Sequence, residues 1–173
     1  MYRRAAKDDI PGVVRIYEKI FEFEAQGKAN TGWIKGVYPT EGTAREALSE
    51  EELFVFEEGG RVLASARINR KQEPEYANCS WTYDAPDSEV MVIHTLVVDP
   101  AASGRGVGGG FVRFYEDYAL RNSCPYLRMD TNVINSAARA LYKKLGYSEQ
   151  GVISCTFNGI GGVQLVCLEK KLG

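Results

Sequence analysis

One stretch of the sequence restricts the fold more than any other: an apolar segment, a glycine-rich loop and an amphipathic segment follow one another directly. The apolar segment is MVIHTLVV, residues Met91–Val98, and five glycines then occur within Gly104–Gly110. In the next segment, FVRFYEDYAL, apolar residues recur at the spacing of a helix with one buried face. A buried strand followed by a helix predicts a right-handed β–α–β crossover.

The remaining segments predict a mixed α/β protein. YRRA predicts a short first strand, followed by a helix that Asp8 caps and that reaches about Glu24. Thr43 is predicted to open a second helix, and LFVFEEGGRVLASARIN predicts a hairpin. A helix from about Gly106 to Asn122, the strand YLRMD, the helix NSAARALYKKLG and a second hairpin complete the order. The long segment RKQEPEYANCSWTYDAPDSE has no periodicity, which predicts a functional or disordered loop.

Length and composition predict one domain, residues 1–173, and argue against several classes of protein. The 21 basic and 23 acidic side chains are nearly balanced, which argues against a broad nucleic-acid-binding face. Four scattered cysteines and a single histidine predict no metal site. No apolar run approaches the ~20 residues that span a bilayer, so we expect no membrane contact and a cytoplasmic location with reduced thiols.

Four interpretations compete for the glycine loop. A flexible turn is the simplest, and a nucleotide P-loop fails because no Lys-Ser or Lys-Thr pair follows the glycines. Gly104, Gly106 and Gly109 spell the dinucleotide pattern G-x-G-x-x-G, with Asp130 at the expected distance. However, five residues separate the strand from the first glycine, and the chain after Asp130 is short. The fourth interpretation is a pyrophosphate site made by backbone N–H groups at a helix N-terminus, with Arg105 as a counter-charge.

Two motifs resemble the GCN5-related N-acetyltransferase (GNAT) superfamily. LVVDPAASGRGVG places Val98, Pro100, Gly106 and Gly108 where the family has its V-x-P turn and [Q/R]-x-x-G-x-[G/A] loop. Ser103 stands where the family has Gln or Arg, which removes one side-chain contact. NSAARALYKKLGY resembles the family's N-x-x-A-x-x-x-Y segment, and the resemblance extends from the first strand to the last hairpin.

The resemblance implies a bent, mostly antiparallel sheet with flanking helices, in which two central parallel strands, Met91–Val98 and Tyr126–Asp130, splay apart. Acetyl-CoA is the implied co-substrate, with its pantetheine arm paired to the first of these strands and its pyrophosphate on residues 103–109. The implied cofactor-binding residues are Leu96, Val97, Val98, Ser103, Gly104, Arg105, Gly106, Val107, Gly108, Gly109, Asn135, Ala138 and Tyr142.

Acetyl transfer to an amine needs a proton acceptor for the amine and a proton donor for the departing thiolate. By resemblance, Tyr142 is the general acid and Asn135 binds the cofactor arm. His94 is a candidate general base or proton relay, because alternation places residues 92, 94, 96 and 98 on one face of the strand. Glu89 and a chain of water molecules are the alternatives.

The acceptor is predicted to be a small-molecule amine, and aromatic side chains in two loops are candidates for its pocket. These are Trp33 and Tyr38 in the first loop and Tyr76, Trp81 and Tyr83 in the second. Glu22, Glu24 and Asp84 are candidates for attracting a cation. A non-catalytic acyl-CoA sensor and a nicotinamide-dependent oxidoreductase are the alternative functions, and the sequence leaves a monomer or a homodimer open.

Overall fold

A seven-stranded sheet with helices on both faces forms the framework of the protein in the computed structural model, which describes residues 1–173. The strands are β1 (Tyr2–Arg4), β2 (Leu53–Glu58), β3 (Arg61–Asn69), β4 (Val90–Val98), β5 (Tyr126–Asn132), β6 (Ser148–Phe157) and β7 (Ile160–Lys171). The helices are α1 (Ile10–Ala25), α2 (Glu41–Ser49), α3 (Val107–Arg121) and α4 (Ser136–Lys144). The predicted order of elements is therefore confirmed.

The strands lie in the order β1-β2-β3-β4-β5-β7-β6, and every neighbouring pair is antiparallel except β4 and β5. The predicted mixed, mostly antiparallel sheet is therefore confirmed. β4 and β5 pair only at their first three residues, Val90–Val92 with Tyr126–Arg128. Beyond Val92 the two strands separate, which leaves a gap in the middle of the sheet.

Apolar faces of the helices explain how the layers assemble. α1 buries Val13, Ile16 and Tyr17 together with residues of α2 and one face of β2 and β3. α3 buries Phe111 and Tyr115 on the opposite face, together with residues of β4 and β5. Burying a large apolar side chain contributes about 1.5–3 kcal/mol to the free energy of unfolding. The apolar face of each helix therefore determines which face of the sheet that helix covers. None of the four helices is both long enough and apolar enough to cross a membrane.

The predicted starts of the first two helices were wrong. Asp8 is exposed, and the next carboxylate, Asp9, accepts a hydrogen bond from the N–H of Ala6 and pairs with Arg3. The second helix begins at Glu41, because the hydroxyl of Thr40 accepts the N–H of Thr43 and acts as the N-cap. The cap of the second helix is thus a local, reciprocal contact of Thr40 and Thr43, whereas no side chain caps the start of α1.

A single irregular residue in β4 overturns the predicted alternation of residues 92, 94, 96 and 98. Thr95 has φ +52°, and the pairing with β3 moves three residues on β4, from His94 to Val97, while it moves two on β3. Such a bulge exchanges the two faces of the strand. His94 therefore shares a face with Val97, whereas Leu96 packs on the opposite face with α3.

The long segment between β3 and β4 is ordered. It contains two short 3-10 turns, Pro74–Asn78 and Asp87–Glu89. Tyr76 is buried in an apolar cluster with residues of β4, β6 and β7. The absence of periodicity in the sequence thus reflects irregular backbone that is anchored by its side chains.

Candidate active site

A cavity of about 420 Å³ lies in the gap between β4 and β5. Its walls come from β4, the end of β5, the first turns of α4, the loop of residues 28–33 and the β6–β7 hairpin. The predicted site residues on this wall are Trp33, Tyr38, His94, Leu96, Val97, Val98, Ser103, Asn135, Ala138 and Tyr142. Residues that are far apart in the chain thus meet at one cavity.

The backbone of β4 faces this cavity without a partner strand on one side. Residues 93–98 have β3 as their neighbour on the other side, but β5 has already diverged. A strand with a free edge of N–H and C=O groups accepts an extended ligand as an additional strand. Leu96, Val97 and Val98 lie on this free edge.

The glycine loop is held in place by a buried carboxylate. Asp99 is fully buried, and it accepts hydrogen bonds from the N–H of Ala101 and, at 2.9 Å, from the ammonium of Lys19. Burial opposes ionisation, but the Lys19 ammonium and the Ala101 N–H outweigh it and lower the pKa of Asp99. The turn that leads into the glycines is therefore fixed to α1 by an ionised group.

Glycine is needed in this loop for two different structural reasons. Gly104 and Gly106 have φ +76° and +75°, a left-handed conformation that favours glycine. Gly106 precedes the first residue of α3, where no side chain caps the helix, so the first-turn N–H groups remain available to an anion. Gly110 allows a close approach, because an added Cβ would lie 2.0 Å from the hydroxyl of Tyr2. Arg105 pairs with Glu58 at the surface.

Gly106→Ala is expected to raise the KM for acetyl-CoA by about tenfold, because a left-handed non-glycine residue costs roughly 1–2 kcal/mol. A Cβ at this position has no atom within 4 Å, so only the backbone conformation is disturbed. The matched control is Gly60→Ala in the turn between β2 and β3, which has the same left-handed φ of +75° and likewise no atom within 4 Å of an added Cβ. Steady-state kinetics should show the increase for Gly106→Ala alone; equal KM values for the two variants would contradict the assignment.

Tyr142 lies on α4 and Asn135 is the N-cap residue of this helix, both at the cavity wall. The side-chain oxygen of Asn135 accepts the N–H of Ala138 and so caps the helix, which leaves its amide NH₂ group for other partners. Tyr142 is only 7% exposed, and its hydroxyl makes no hydrogen bond with any group of the chain. Burial, and secondarily the negative charge of Asp130, raise the pKa of Tyr142. The phenol is therefore protonated at neutral pH.

His94 contacts a hydrogen-bond acceptor at each ring nitrogen. Nε2 lies 2.8 Å from the side-chain oxygen of Asn69, and Nδ1 lies 2.9 Å from a carboxylate oxygen of Glu73. The orientation of the Asn69 amide is fixed, because its NH₂ group donates to Glu52 and its oxygen accepts the N–H of Lys71. Both ring nitrogens of His94 are therefore occupied by partners within the chain.

Asp130 is the second titratable group on the cavity wall. The hydroxyl of Tyr76 donates to its Oδ2 at 2.6 Å, and Oδ1 has no partner within the chain. Burial raises the pKa of Asp130 to about 6, although the Tyr76 hydrogen bond and the nearby His94 both oppose the increase. Asp130 is therefore a carboxylate that exchanges protons near neutral pH.

A second cavity of about 590 Å³, lined partly by residues of β3 and α2, adjoins the first at β4. The residues common to both walls are Tyr38, Glu73, His94, Thr95 and Asn158. The hydroxyls of Tyr38 and Thr95 are hydrogen-bonded to each other at this boundary. The outer part of the second cavity is polar and includes Glu46, Arg67 and Lys71. The two cavities thus share one boundary, at His94 and Thr95 of β4.

Residues 12–147 match the sequence model of the acetyltransferase (GNAT) family. The chain belongs to the GNAT family. The resemblance found in the two motifs is therefore confirmed, and the family supports the predicted class of enzyme, an acyltransferase of the N-acetyltransferase type.

Known proteins similar to this GNAT chain agree with that assignment. A relative from Methanocaldococcus jannaschii, named an uncharacterized N-acetyltransferase, is 26% identical over 87% of the chain, and the chain spans only 62% of that relative. A GNAT-family acetyltransferase structure from Streptococcus agalactiae has a TM-score of 0.84 at 18% identity, covering 100% of this chain and 95% of the other. A Salmonella typhimurium structure described as an acetyltransferase with its cofactor acetyl-CoA has a TM-score of 0.71 at 17% identity, covering 100% and 94%. These structures show that the fold is that of the family.

Several expected site residues of this GNAT protein lie away from both cavities. Tyr83 packs against Tyr126 and Lys171 instead of lining a pocket. Glu89 is exposed at the start of β4, far along the strand from His94. The carboxylate of Glu24 accepts the N–H and hydroxyl of Thr31, so it fixes the loop of residues 28–33. The surroundings of these three side chains do not support roles in acceptor binding or catalysis.

Sequence reasoning also missed functional candidates in this GNAT protein. Asp130 entered only as the acidic residue at the spacing of the dinucleotide pattern, but its carboxylate instead accepts the hydroxyl of Tyr76 at the cavity. Glu73 and Asn69, which contact His94, carried no motif. The only available signal was that Glu73 lies inside the long aperiodic segment and Asn69 directly precedes it.

Proposed function

We propose that this GNAT protein transfers the acetyl group of acetyl-CoA to the amine of a small molecule, by direct attack in a ternary complex. One observation carries the proposal: the free edge of β4 and Tyr142, whose hydroxyl has no partner in the chain, line the same cavity. A pure acyl-CoA sensor would need the edge but not a proton donor, so the hydroxyl favours an enzyme. We further propose that residues 1–173 form one N-acetyltransferase domain.

The residues along β4 and the glycine loop fit acetyl-CoA. Leu96, Val97 and Val98 would pair with the extended arm, and the N–H groups of residues 103–109 would bind the pyrophosphate. Asn135 and Ala138 would contact the arm from α4. The acetyl-CoA described for the similar Salmonella typhimurium fold supports this assignment. Acetyl-CoA supplies the acyl group, which passes to the amine as the carbon–sulfur bond breaks.

Two side chains would move the protons of the reaction. Tyr142 would donate its hydroxyl proton to the departing sulfur, since the phenol is protonated and has no competing acceptor. Asp130 would accept the proton that the amine loses, because its Oδ1 is free and its pKa is about 6. The contacts of His94 favour a role in orienting this polar network, while its predicted role as base or relay stays a prediction.

The acceptor amine would approach through the second cavity. Its boundary with the first cavity carries Tyr38, which also forms an edge-on aromatic pair with Trp33 at 5.9 Å. An amine arriving there would meet the thioester end of the first cavity without displacing the cofactor arm. Holding the two reactants at one boundary lowers the entropic cost of the reaction.

Purified protein is expected to release CoA thiol only when both acetyl-CoA and a suitable amine are present. A thermal-shift experiment with acetyl-CoA, CoA and NAD precedes the assay, and a thiol reagent then follows release across a panel of amines. Acetyl-CoA and CoA should raise Tm, whereas NAD should not. Stabilisation by NAD alone would overturn the proposal. Binding of CoA without thiol release from any amine would support the sensor.

A further inference from the structure

We infer that Arg128 and Glu169 are positioning residues for the active site, acting through the segment of residues 72–83; the inference rests on the proposed function. Arg128 lies on β5 and Glu169 lies opposite it on β7. Their side chains are 3.1 Å apart, and the residues are only 5% and 2% exposed. Neither side chain reaches the cavity of about 420 Å³.

The buried pair uses its remaining hydrogen-bonding groups to hold that segment. Arg128 donates from Nη1 to the side-chain oxygen of Gln72 and from Nη2 to the carbonyl of Tyr83, each at 2.7 Å. Glu169 Oε1 accepts the N–H of Thr82 at 2.9 Å. The guanidinium also lies over the ring of Trp81, 4.2 Å from its centre. Both ends of the segment are thus fixed to the sheet by one ion pair.

The same segment carries the two side chains that contact the titratable groups of the site. Tyr76 donates to Asp130, and Glu73 contacts His94. Trp81 supports Tyr76 directly, because its indole N–H donates to the Tyr76 carbonyl and the two rings lie 5.2 Å apart. A continuous set of contacts therefore runs from Arg128 through Trp81 and Tyr76 to Asp130.

An ion pair at this depth is weak evidence of a purely stabilising role. Replacing a buried pair with apolar residues of similar size is often neutral or stabilising, whereas removing one partner leaves a costly unpaired charge. Only arginine among the cations supplies planar donors in several directions together with a stacking face. Arg128 contacts residues 72–83 at Gln72, Trp81 and Tyr83, and contacts at both ends of a segment hold it in place.

The test uses the double variant Arg128→Met/Glu169→Leu, which leaves no buried charge. Its kcat is expected to fall roughly 10- to 100-fold, as for misplaced catalytic groups, with the KM for acetyl-CoA changed by less than about twofold. His94 is the only histidine, so its imidazole NMR signals are unambiguous and should move in this variant. The indole signal of Trp81, distinguished from that of Trp33 by a Trp33→Phe variant, should move as well.

The matched control is Lys170→Met/Glu116→Leu, which removes a 2.8 Å ion pair next to Glu169 that does not touch residues 72–83. This control should leave kcat and the His94 signals close to those of the unmodified protein. Equal losses of kcat in both double variants, or unchanged His94 signals in the first, would overturn the inference. If the first variant does not fold, Arg128→Lys and Trp81→Leu replace it, with the same expected loss of kcat and shift of the His94 signals, and the same contrary result.

The two proposals fail differently. If no amine supports thiol release by the unmodified protein, the proposed function fails, while the NMR signals still decide whether Arg128 and Glu169 hold residues 72–83. If thiol release occurs and the Arg128→Met/Glu169→Leu variant retains full kcat, only the positioning inference fails.

Discussion

Tyr142→Phe is expected to lower kcat by about 100-fold or more, while the KM for acetyl-CoA changes by less than about twofold. The substitution removes only the hydroxyl, which has no hydrogen-bond partner in the chain, and keeps the ring against Tyr147 at a centroid distance of 6.1 Å. The proton donor is therefore lost without a packing defect or an orphaned partner. Steady-state kinetics at saturating amine measure the effect.

Tyr147→Phe provides the matched control, because it makes the same chemical change in a neighbouring buried ring. The Tyr147 hydroxyl donates to Glu116 at 3.1 Å and does not line the cavity between β4 and β5. Removal of this hydroxyl should lower Tm but leave kcat close to that of the unmodified protein. If the two variants have the same kcat, Tyr142 is not the acid.

Asp130→Asn is expected to remove the acidic limb of the pH profile of kcat/KM. Asp130 accepts a proton from the amine only when ionised, and its pKa of about 6 places the rise in activity near pH 6. Asparagine keeps the shape and an acceptor oxygen for Tyr76 but cannot take up the proton. We expect a loss of kcat of about 100-fold at pH 8.

Two further variants determine whether the limb belongs to Asp130. Tyr76→Phe removes a hydrogen bond that lowers the pKa of Asp130, so the limb should move to higher pH. His94→Gln should retain the limb at lower amplitude. If His94→Gln abolishes the limb and Asp130→Asn preserves it, His94 is the base and the assignment to Asp130 is wrong.

Asp130→Asn should also stabilise the protein above pH 6. Burial raises the pKa of Asp130 from 3.8 to about 6 in the folded state, so the folded protein binds this proton more tightly than the unfolded chain. The stability linked to that proton is complete below about pH 4 and is lost as the pH rises through 6. The variant lacks this loss and should gain at most about 3 kcal/mol in the free energy of unfolding at pH 8. Denaturant titrations at pH 4 and pH 8 measure the difference.

The sequence by itself determined the order of strands and helices, the parallel crossover and the two motifs of the family. These features are local: the glycines of residues 104–110 and the spacing of Asn135, Ala138 and Tyr142 lie within single segments of the chain. Their physical basis is the backbone freedom of glycine and the periodicity of a helix, both of which are visible in neighbouring residues.

Only the tertiary structure decided how the boundary between the two cavities is assembled. The bulge at Thr95 moves His94 to the face opposite Leu96, a shift that alternation along a regular strand does not reveal. Asp130 and Tyr76 are 54 residues apart in the chain, and Arg128 is 41 residues from Glu169. Such contacts depend on strand register and on where a loop is anchored, and no local pattern encodes either.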